Sequence, residues 1–418
     1  MPLYSEQPPE GDHPEYLDHD EVGDEIEPTE DADALMSESS GDEAEHAMHD
    51  SDNDADGMDE GDQPTGGDGD DEMVEFHDDS VQGFFAHKEP VYAVAIHPRQ
   101  PELVLTGGGD DRAYLWRCDT GATVFELEGG FEDSVTAVGF NVDGTLMAAG
   151  AMDGKVRVWN TSDGQVIQAL DGPAEVTWLT WHPRGSILLV GSSDGTMWMW
   201  TLPSGHVMQV FTNPSADALT CGTFTPDGKT IVTGSEDGSV TVWDPKTANA
   251  VFRLTSEDAR FHTDTVTSVA VSPDSLLAVT GAADGTARLI HLQNGQIVGA
   301  LDGHTESVEA VGFSPVLPLI ATASVDGTIN LWDAQNHRLR QTIRHDDAVT
   351  KLQWHTNSPL LTTASTDRTV RLWDARTGQC ERKWSGHQDA ILDFALSPDG
   401  HTVVTGSDDG CSLVFAMQ

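Results

Sequence analysis

The first 80 residues contain no lysine or arginine, although they hold 31 aspartate and glutamate residues. Aromatic residues are nearly absent there, and Ser, Gly, Pro and Met occupy many of the other positions. A segment of this composition cannot bury enough apolar surface to offset the entropy lost on ordering. We therefore predict that residues 1–74 form an acidic, disordered tail, which either attracts basic partners or only keeps the protein soluble.

The chain also lacks the features of several protein classes. It has no membrane-length apolar run, and it has no positively charged start followed by an apolar stretch, which argues against a secretory signal peptide. Its four cysteines, Cys118, Cys221, Cys380 and Cys411, form no CxxC pair and no metal-ligand spacing. They are expected to be free thiols in a reducing compartment. These absences predict a protein without metal or other cofactor, located in the cytoplasm, with the nucleus as a second location.

Charge of one sign dominates the whole chain. Acidic residues outnumber basic ones by 71 to 21, and the formal net charge is −50. Without the first 80 residues, 40 acids remain against 21 bases, so the rest of the chain carries a charge of −19. Such a field repels nucleic acid and anionic membranes, and it attracts basic proteins. We therefore expect a basic protein segment as the partner, and no direct contact with nucleic acid or membrane.

A short motif recurs eight times from residue 80 onward. It consists of a strand end, a turn containing aspartate, and an alternating strand that in most copies ends in Trp, as in residues 322–332. Each unit predicts four strands, named a to d from the centre outward. A spacing of about 42 residues is the period of WD40 repeats, so the predicted fold class is an all-β, eight-bladed WD40 β-propeller. The turn aspartates that define the period are Asp111, Asp153, Asp194, Asp237, Asp284, Asp326, Asp367 and Asp409.

The last repeat reaches Gln418 directly after its strand c, so its fourth strand is missing. Residues 80–86 precede the first strand a and have a suitable sequence for this position. A ring closed by strands from both ends of the domain leaves no open blade edge. Residues 80–418 are therefore predicted to form one domain.

Histidine, serine, aspartate and tryptophan recur together in the last repeats. A hydrolase needs one such set beside an oxyanion hole, whereas sets in phase with the repeat indicate internal hydrogen-bond networks. In these networks we expect the Asp carboxylate to accept a hydrogen bond from His. The imidazole is expected to hydrogen-bond in turn to the Ser hydroxyl, and this hydroxyl to the indole N–H of Trp. We therefore predict no catalytic residues and no enzyme activity. The predicted sets are His304, Ser324, Asp326 and Trp332; His345, Ser365, Asp367 and Trp373; and His387, Ser407 and Asp409.

In a propeller, the d–a and b–c loops meet on one face around the central channel. The position of a residue within the repeat indicates whether it lies on this face. Carboxylates are expected there directly before the turn Asp and around the start of strand a. Two aromatic residues near strand a can stack on arginine. We predict that this acidic face binds the partner; the alternative is that its loops are merely solvated. The predicted face residues are Asp110, Glu132, Asp133, Glu175, Asp217, Glu236, Asp264, Glu306, Glu309, Asp346, Asp347, Asp389, Asp408, Tyr92 and Trp178.

Three stretches, 105–116, 181–205 and 390–399, carry a resemblance to a known family, as do the acidic leader and the eight repeats. The chain resembles the WD40 family of the angio-associated migratory cell protein and its fungal relative, the dedicated assembly chaperone of large-subunit ribosomal protein L ten. The resemblance implies a ribosome-biogenesis factor, expected to be a monomer, that holds the basic N-terminal segment of this newly made ribosomal protein on its acidic face. Two alternatives remain open: a general WD40 interaction scaffold and a histone-type chaperone for basic proteins.

Overall fold

The computed structural model describes residues 77–417, which form eight four-stranded antiparallel sheets. Short alternating apolar segments, separated by turns rich in Gly, Asp and Pro, produce these strands. The prediction of an all-β, eight-bladed propeller is confirmed. Within 77–417 there is no helix, and hence none that could cross a membrane. The predicted tail, residues 1–74, lies outside the described residues and stays a prediction.

The first strand of the described chain, β1 (Gln82–Phe84), belongs to the last blade, and the other strands follow in chain order. Blades 1 to 4 consist of β2 (Val91–Ile96), β3 (Leu103–Gly108), β4 (Ala113–Arg117) and β5 (Thr123–Leu127); β6 (Val135–Phe140), β7 (Leu146–Ala151), β8 (Val156–Asn160) and β9 (Val166–Leu170); β10 (Val176–Trp181), β11 (Ile187–Ser192), β12 (Thr196–Thr201) and β13 (His206–Thr212); and β14 (Leu219–Phe224), β15 (Ile231–Ser235), β16 (Val240–Trp243) and β17 (Ala250–Leu254).

Blades 5 to 8 continue the same order from the channel outward. They consist of β18 (Val266–Val271), β19 (Leu277–Ala282), β20 (Thr286–His291) and β21 (Gln296–Asp302); β22 (Val308–Phe313), β23 (Leu319–Ser324), β24 (Thr328–Asp333) and β25 (Leu339–Arg344); β26 (Val349–Trp354), β27 (Leu360–Ser365), β28 (Val370–Asp374) and β29 (Gln379–Trp384); and β30 (Ile391–Leu396), β31 (Thr402–Ser407), β32 (Ser412–Ala416) and β1.

The ring closes because the innermost strands contact one another all the way round, with β2 next to both β6 and β30. In blade 8 the outer position is filled by β1, whose Gln82 lies opposite Val414 of β32. This strand falls within residues 80–86, the segment to which the sequence assigned the missing strand. Blade 8 therefore contains strands from both ends of the described chain.

The hydrophobic core lies between neighbouring blades. Every residue of β23 is buried, whereas the outer strand β29 is exposed except at Trp384. One apolar cluster joins Ala321 and Leu331 of blade 6 to Val349 and Leu361 of blade 7, and similar clusters occur between other blades. Each sheet is thus buried on both faces near the channel, and stability depends mainly on interfaces between neighbours.

The antiparallel order places the b–c turns and the d–a loops at the same end of the blades, which we call the top face. A repeated backbone hydrogen bond ties the two loops together. In blade 6 the Val325 N–H donates to the carbonyl of Ser307 at 3.0 Å, and in blade 8 the Asp408 N–H donates to Ala390 at 3.0 Å. The a–b and c–d turns lie at the opposite end, the bottom face.

Candidate functional site

A buried hydrogen-bond network connects the top face of blade 7 to its core. His345 Nδ1 lies 2.9 Å from Asp367 Oδ2, and because a carboxylate only accepts, the imidazole carries its proton on Nδ1. His345 Nε2 then accepts from the hydroxyl of Thr363 at 2.7 Å, and Thr363 accepts from the indole N–H of Trp373 at 2.8 Å. Every polar group in the chain of bonds has a partner, so the network stabilises the blade.

The pKa shifts fit a neutral imidazole beside an ionised carboxylate. Burial lowers the pKa of His345, although the neighbouring Asp367 opposes this. Burial alone would raise the pKa of Asp367, but hydrogen bonds from His345, Thr369 and the Asp346 backbone bring it well below its ordinary value. The Thr363 hydroxyl is fully buried. This arrangement is one of structural polar groups, and it presents no exposed nucleophile.

The prediction that serine forms the middle of these networks is wrong. Thr322, Thr363 and Thr405 hold that position in blades 6, 7 and 8, at 2.7 Å from the respective histidine Nε2. The predicted Ser324, Ser365 and Ser407 instead support the turn. For example, the Ser324 hydroxyl donates to the carbonyl of Glu306 and accepts from the N–H of Asp326.

Strand register explains why threonine and not serine meets the indole. Trp332 lies opposite Ile320, so Thr322 is its diagonal neighbour on the same side of the sheet. Ser324 lies four residues from Ile320, about 13 Å along the strand, which is beyond the reach of the indole. Its hydroxyl is therefore left to bind the nearby backbone of the d–a loop.

Asp110 also belongs to a network and not to the binding face. Its carboxylate is 2.9 Å from His87 Nδ1 and accepts from the N–H of Lys88, and its side chain is only 6% exposed. Asp111, to which the sequence assigned the turn position, has φ of 61° and occupies the place of the turn glycine. The spacing along the sequence could have identified Asp110 as the network aspartate, because Trp116 follows Asp110 by six residues, just as Trp332 follows Asp326.

The top face carries a ring of carboxylates at one repeated position, two residues before strand a. We call this ring the carboxylate rim. Seven of the eight blades have an acid at this position, and blade 3 has Ala174 there, followed by Glu175. Glu89 was missed from the sequence, and counting back from the start of β2 would have found it. The rim residues are Glu89, Asp133, Asp217, Asp264, Glu306, Asp347 and Asp389.

Four rim aspartates share one local geometry. In Asp133, Asp264, Asp347 and Asp389, Oδ1 accepts the backbone N–H of the following residue at 2.7 to 2.8 Å. All four residues are exposed. The hydrogen bond to Oδ1 fixes the orientation of the carboxylate, and Oδ2 is left open to solvent. Oδ2 is therefore suited to accept a hydrogen bond from a cationic group of a partner.

Close contact between neighbouring blades makes the rim continuous. In blade 6 the turn residue Gly327 has a φ of 75°, a backbone conformation that residues other than glycine rarely adopt. A Cβ at this position would lie 3.2 Å from the carbonyl oxygen of Asp347. Each such turn thus approaches the rim residue of the next blade. The rim positions of adjacent blades are separated only by a tight turn.

Two other predicted face residues are already paired with cations of this chain. Lys155 Nζ lies 3.0 Å from Glu132. Asp346 is 2.5 Å from Arg371 and 3.4 Å from Lys383, and the hydrogen bond from Arg371 lowers the pKa of Asp346. These side chains contribute less free negative charge to the face than the rim aspartates do.

The remaining predicted residues occupy different depths of the face. Glu175, Glu236 and Asp408 are exposed, whereas Glu309 is half-buried as the second residue of β22.

Among residues 77–417, no group of His, Cys, Asp and Glu side chains could hold a metal ion. The arrangement can bind cations and hydrogen-bond donors.

The two predicted aromatic residues differ in their availability. Tyr92 is 39% exposed beside the b–c turn of blade 1, where a Cβ at Gly109 would lie 3.2 Å from its ring. The indole of Trp178 donates to the carbonyl of Leu219 at 3.1 Å and is half-buried between blades 3 and 4. Tyr92 is therefore free to stack on a partner, and Trp178 mainly joins two blades.

Comparisons with known proteins match both the repeats and the whole fold. The family model for the WD domain, G-beta repeat, matches residues 79–117, 121–160, 295–333, 337–374 and 378–415, and the model for the Nucleolar protein 10-like N-terminal domain matches 173–290. The angio-associated migratory cell protein of Homo sapiens is 35% identical over 360 residues, covering 82% of each chain. The ribosome assembly protein SQT1 of Saccharomyces cerevisiae is 31% identical over 115 residues, 26% of each chain.

A solved structure extends the likeness to three dimensions. It contains Chaetomium thermophilum Sqt1 bound to the N-terminus of the ribosomal protein L10. The match has a TM-score of 0.76 and 29% identity, and it covers 81% of this chain and 100% of that chain.

Proposed function

The chain belongs to the WD40-repeat family that contains the angio-associated migratory cell protein, and we propose that it is a non-catalytic chaperone of a basic ribosomal protein. Its client is the N-terminal segment of a newly made large-subunit ribosomal protein of the L10 type. The client binds the acidic top face of a monomeric chaperone until it is delivered to the assembling ribosomal subunit. This activity belongs in the cytoplasm, where the client is made, with the nucleus as a second location.

The carboxylate rim is the observation that carries this proposal. Seven blades place an acid at the same position of the same face, and like charges held close together disfavour the folded state unless a cationic partner meets them. The similarity to a propeller solved with the N-terminus of ribosomal protein L10 supports the choice of client. A basic segment lying across the face would meet carboxylates from several blades.

The rim and the remaining acidic face contribute to binding in different ways. The long-range negative field increases the rate at which a basic segment is captured. Each exposed ion pair adds only about 0–1 kcal/mol, so affinity also requires a few anchors that lose their water on binding. Half-buried Glu309 and exposed Tyr92 suit this role, because one can accept from an arginine and the other can stack on it.

Two other functions compete with this proposal. A general WD40 scaffold would bind its partners mainly through apolar contacts, and its binding would depend little on salt. A histone-type chaperone would use the same acidic face but would prefer lysine-rich histone tails. Both chaperone functions involve a basic client, so only the identity of the bound protein distinguishes a histone-type chaperone from a ribosomal one.

The proposal is tested by titrating the full chain with an N-terminal peptide of ribosomal protein L10 from the same organism, at low and high salt. The double variant Asp347→Asn with Asp389→Asn removes two rim charges. We expect it to weaken peptide binding at low salt by about three- to tenfold, because each lost pair contributes up to about 1 kcal/mol. Asparagine keeps an oxygen that can accept a hydrogen bond from the same backbone N–H, and the substitutions reduce repulsion within the rim, so the urea midpoint should not fall.

A matched control removes two carboxylates from the bottom face. Asp163 and Asp274 are exposed, and each accepts the N–H of the residue two positions later. Asp163→Asn with Asp274→Asn should leave peptide binding nearly unchanged. The ribosomal client is excluded if the peptide does not bind at low salt or if a histone-tail peptide binds more tightly. Equal effects of the two double variants would argue against the rim as the site.

A further inference from the structure

Blades 6 and 7 contain a sector whose charge is opposite to that of the rest of the protein. Residues 338–383 hold nine arginine and lysine residues and only five acids, a formal charge of +4. The rest of 81–418 carries 35 acids and 12 bases, or −23. Seven of the nine cations in the sector are arginine. The concentration of positive charge in one part of the ring is a surface feature that the rim does not explain.

Six of the nine cations lie on or beside the outer strands of two neighbouring blades, β25 and β29, whereas Lys351, Arg368 and Arg371 lie elsewhere in blade 7. The Gln341 side chain donates to the carbonyl of Thr377 near the bottom face, at 2.9 Å. Toward the top face, Arg371 donates to the carbonyl of Arg344 at 3.0 Å. These bonds hold blades 6 and 7 side by side on the outer wall. We call the exposed cations of this wall the basic strip; they are Arg338, Arg340, Arg344, Arg376, Arg382 and Lys383.

Three arginines of the basic strip have no carboxylate of this chain within 4 Å, as far as residues 77–417 are concerned: Arg338, Arg344 and Arg382. Arg340 and Arg376 each have one aspartate partner and stay more than half exposed. The first three guanidinium groups lack carboxylate partners within the described residues, although the chain is rich in acidic residues. Their exposure leaves several positive charges free to bind an anion.

We propose that the basic strip binds the phosphate backbone of RNA without regard to sequence. A planar guanidinium donates two parallel hydrogen bonds to a phosphate, which suits arginine to this role better than lysine. Arg340 and Arg344 are exposed in β25, and Arg338 is exposed directly before it. A β-bulge at Arg340 interrupts the alternation of side chains, so the three guanidinium groups are distributed along the exposed outer edge of blade 6. An extended row of phosphates can contact several of them at once.

The negative net charge does not prevent such binding at physiological salt. The Debye length there is about 8 Å, so a phosphate at the bottom end of the outer wall, near Arg338 and Arg376, responds mainly to the nearby strip and not to the rim. The same net charge would, however, slow the approach of RNA and limit affinity. The expectation of no nucleic acid contact followed from the average charge, whereas the sector has the opposite sign.

The separation of strip and rim has a consequence for the proposed chaperone. The rim lies on the top face and the strip on the outer wall, so a basic client and RNA can bind together. A chaperone that delivers a protein to an RNA-rich particle could then contact the particle while its client is still bound. This consequence rests on the proposed function, but RNA binding by the strip does not.

The test measures binding of the full chain to a fluorescent, single-stranded oligouridine of about 16 nucleotides by anisotropy, at salt concentrations from about 50 to 200 mM. Wild type should bind, with affinity falling steeply as salt rises. The triple variant Arg338→Gln, Arg344→Gln and Arg382→Gln removes three phosphate contacts. It should reduce the slope of log affinity against log salt by about 2, since each contact to a single strand contributes about 0.7.

The control variant Arg99→Gln, Arg184→Gln and Arg260→Gln removes three exposed arginines from other blades. It should bind RNA like the wild type, and both triple variants should keep the wild-type urea midpoint. Absence of RNA binding at low salt, or equal loss in both triples, overturns the proposal. Competition by polyglutamate as strong as by unlabelled oligouridine also overturns it, in favour of an acidic protein segment.

The two proposals can fail independently. The triple variant of the basic strip should bind the L10 peptide as well as the wild type does. Conversely, Asp347→Asn with Asp389→Asn should not weaken RNA binding. Loss of both activities in either variant would mean that strip and rim form one site, which contradicts the separation inferred from their positions.

Discussion

At the scale of single residues, the threonine of strand b decides whether the polar core of a blade is satisfied. In blade 7, Thr363 is the only hydroxyl that meets both the indole of Trp373 and the imidazole of His345. Blade 2 has Ala149 at the matching position, and the buried Trp159 indole N–H has no partner there. Blades thus differ in how completely their networks are built.

A pair of substitutions in blade 7 tests the role of this threonine. Thr363→Val keeps the shape but leaves the Trp373 N–H and His345 Nε2 without partners, so it should lower the free energy of unfolding by about 2 to 5 kcal/mol. Ser365→Ala removes weaker contacts to the turn and should cost about 1 kcal/mol. Urea unfolding measures both values. A larger loss in the serine variant would restore serine to the centre of the network.

At the scale of secondary-structure elements, the short strand β1 closes the propeller. It spans three residues, and Phe84 is its buried contact, 3% exposed and stacked on Trp116 of blade 1 with ring centroids 4.8 Å apart. The next residue, Phe85, is 67% exposed. Most of the apolar contact that holds β1 in blade 8 therefore comes from one side chain.

The two neighbouring phenylalanines provide a matched test of closure. Phe84→Ala should lower the free energy of unfolding by about 3 to 5 kcal/mol, because it leaves a cavity between blade 8 and blade 1. Phe85→Ala should change it by no more than about 0.5 kcal/mol, because this ring is largely in solvent. Urea titrations followed by tryptophan fluorescence distinguish the outcomes. Similar values for both variants would mean that β1 contributes little to closing the ring.

The other turn and strand assignments were visible in the sequence because they depend on local patterns. The strand end, turn and alternating strand predicted within residues 322–332 coincide with the end of β23, the turn that follows it and nearly all of β24. Asp110 and Asp111 were exchanged because two adjacent aspartates fit the turn equally well by local pattern. The six-residue spacing from Asp110 to Trp116 distinguishes them in the sequence, and the contact of Asp110 with His87, 23 residues earlier in the chain, distinguishes them in the structure.

At the scale of the whole molecule, buried histidines make the stability of the propeller depend on pH. Burial lowers the pKa of His262, His304 and His345 from the ordinary value of 6.5, against the opposing effect of their aspartate partners. The unfolded chain therefore binds more protons than the folded chain as pH falls below about 6.5. The stability due to these neutral histidines is complete above that pH and is lost on acidification.

We accordingly expect the urea midpoint of the full chain to fall between about pH 7 and pH 5, where nearly all surface carboxylates stay ionised. His345→Asn should be less stable at neutral pH but should lose less stability on acidification, because asparagine does not take up the proton. Parallel urea titrations at several pH values measure this difference. A constant or rising midpoint toward pH 5 would contradict the assignment of neutral histidines.

The acidic top face was largely predictable, because a repeat period fixes which positions share a face. Counting residues from strand a places Asp133, Asp347 and Asp389 on the rim without any structure. Pairing with cations was not predictable in the same way. Asp346 is neutralised by Arg371 and Lys383, which lie on two other strands of blade 7.

The amino-acid sequence by itself determined the architecture, since the repeat period, strand alternation and turn residues are local properties that each blade repeats. It also determined the sign of the top face. The tertiary structure alone decided which hydroxyl completes each network and which cations remain exposed on the outer wall. These features depend on register between strands and on contacts between residues far apart in the chain, and no local pattern encodes either.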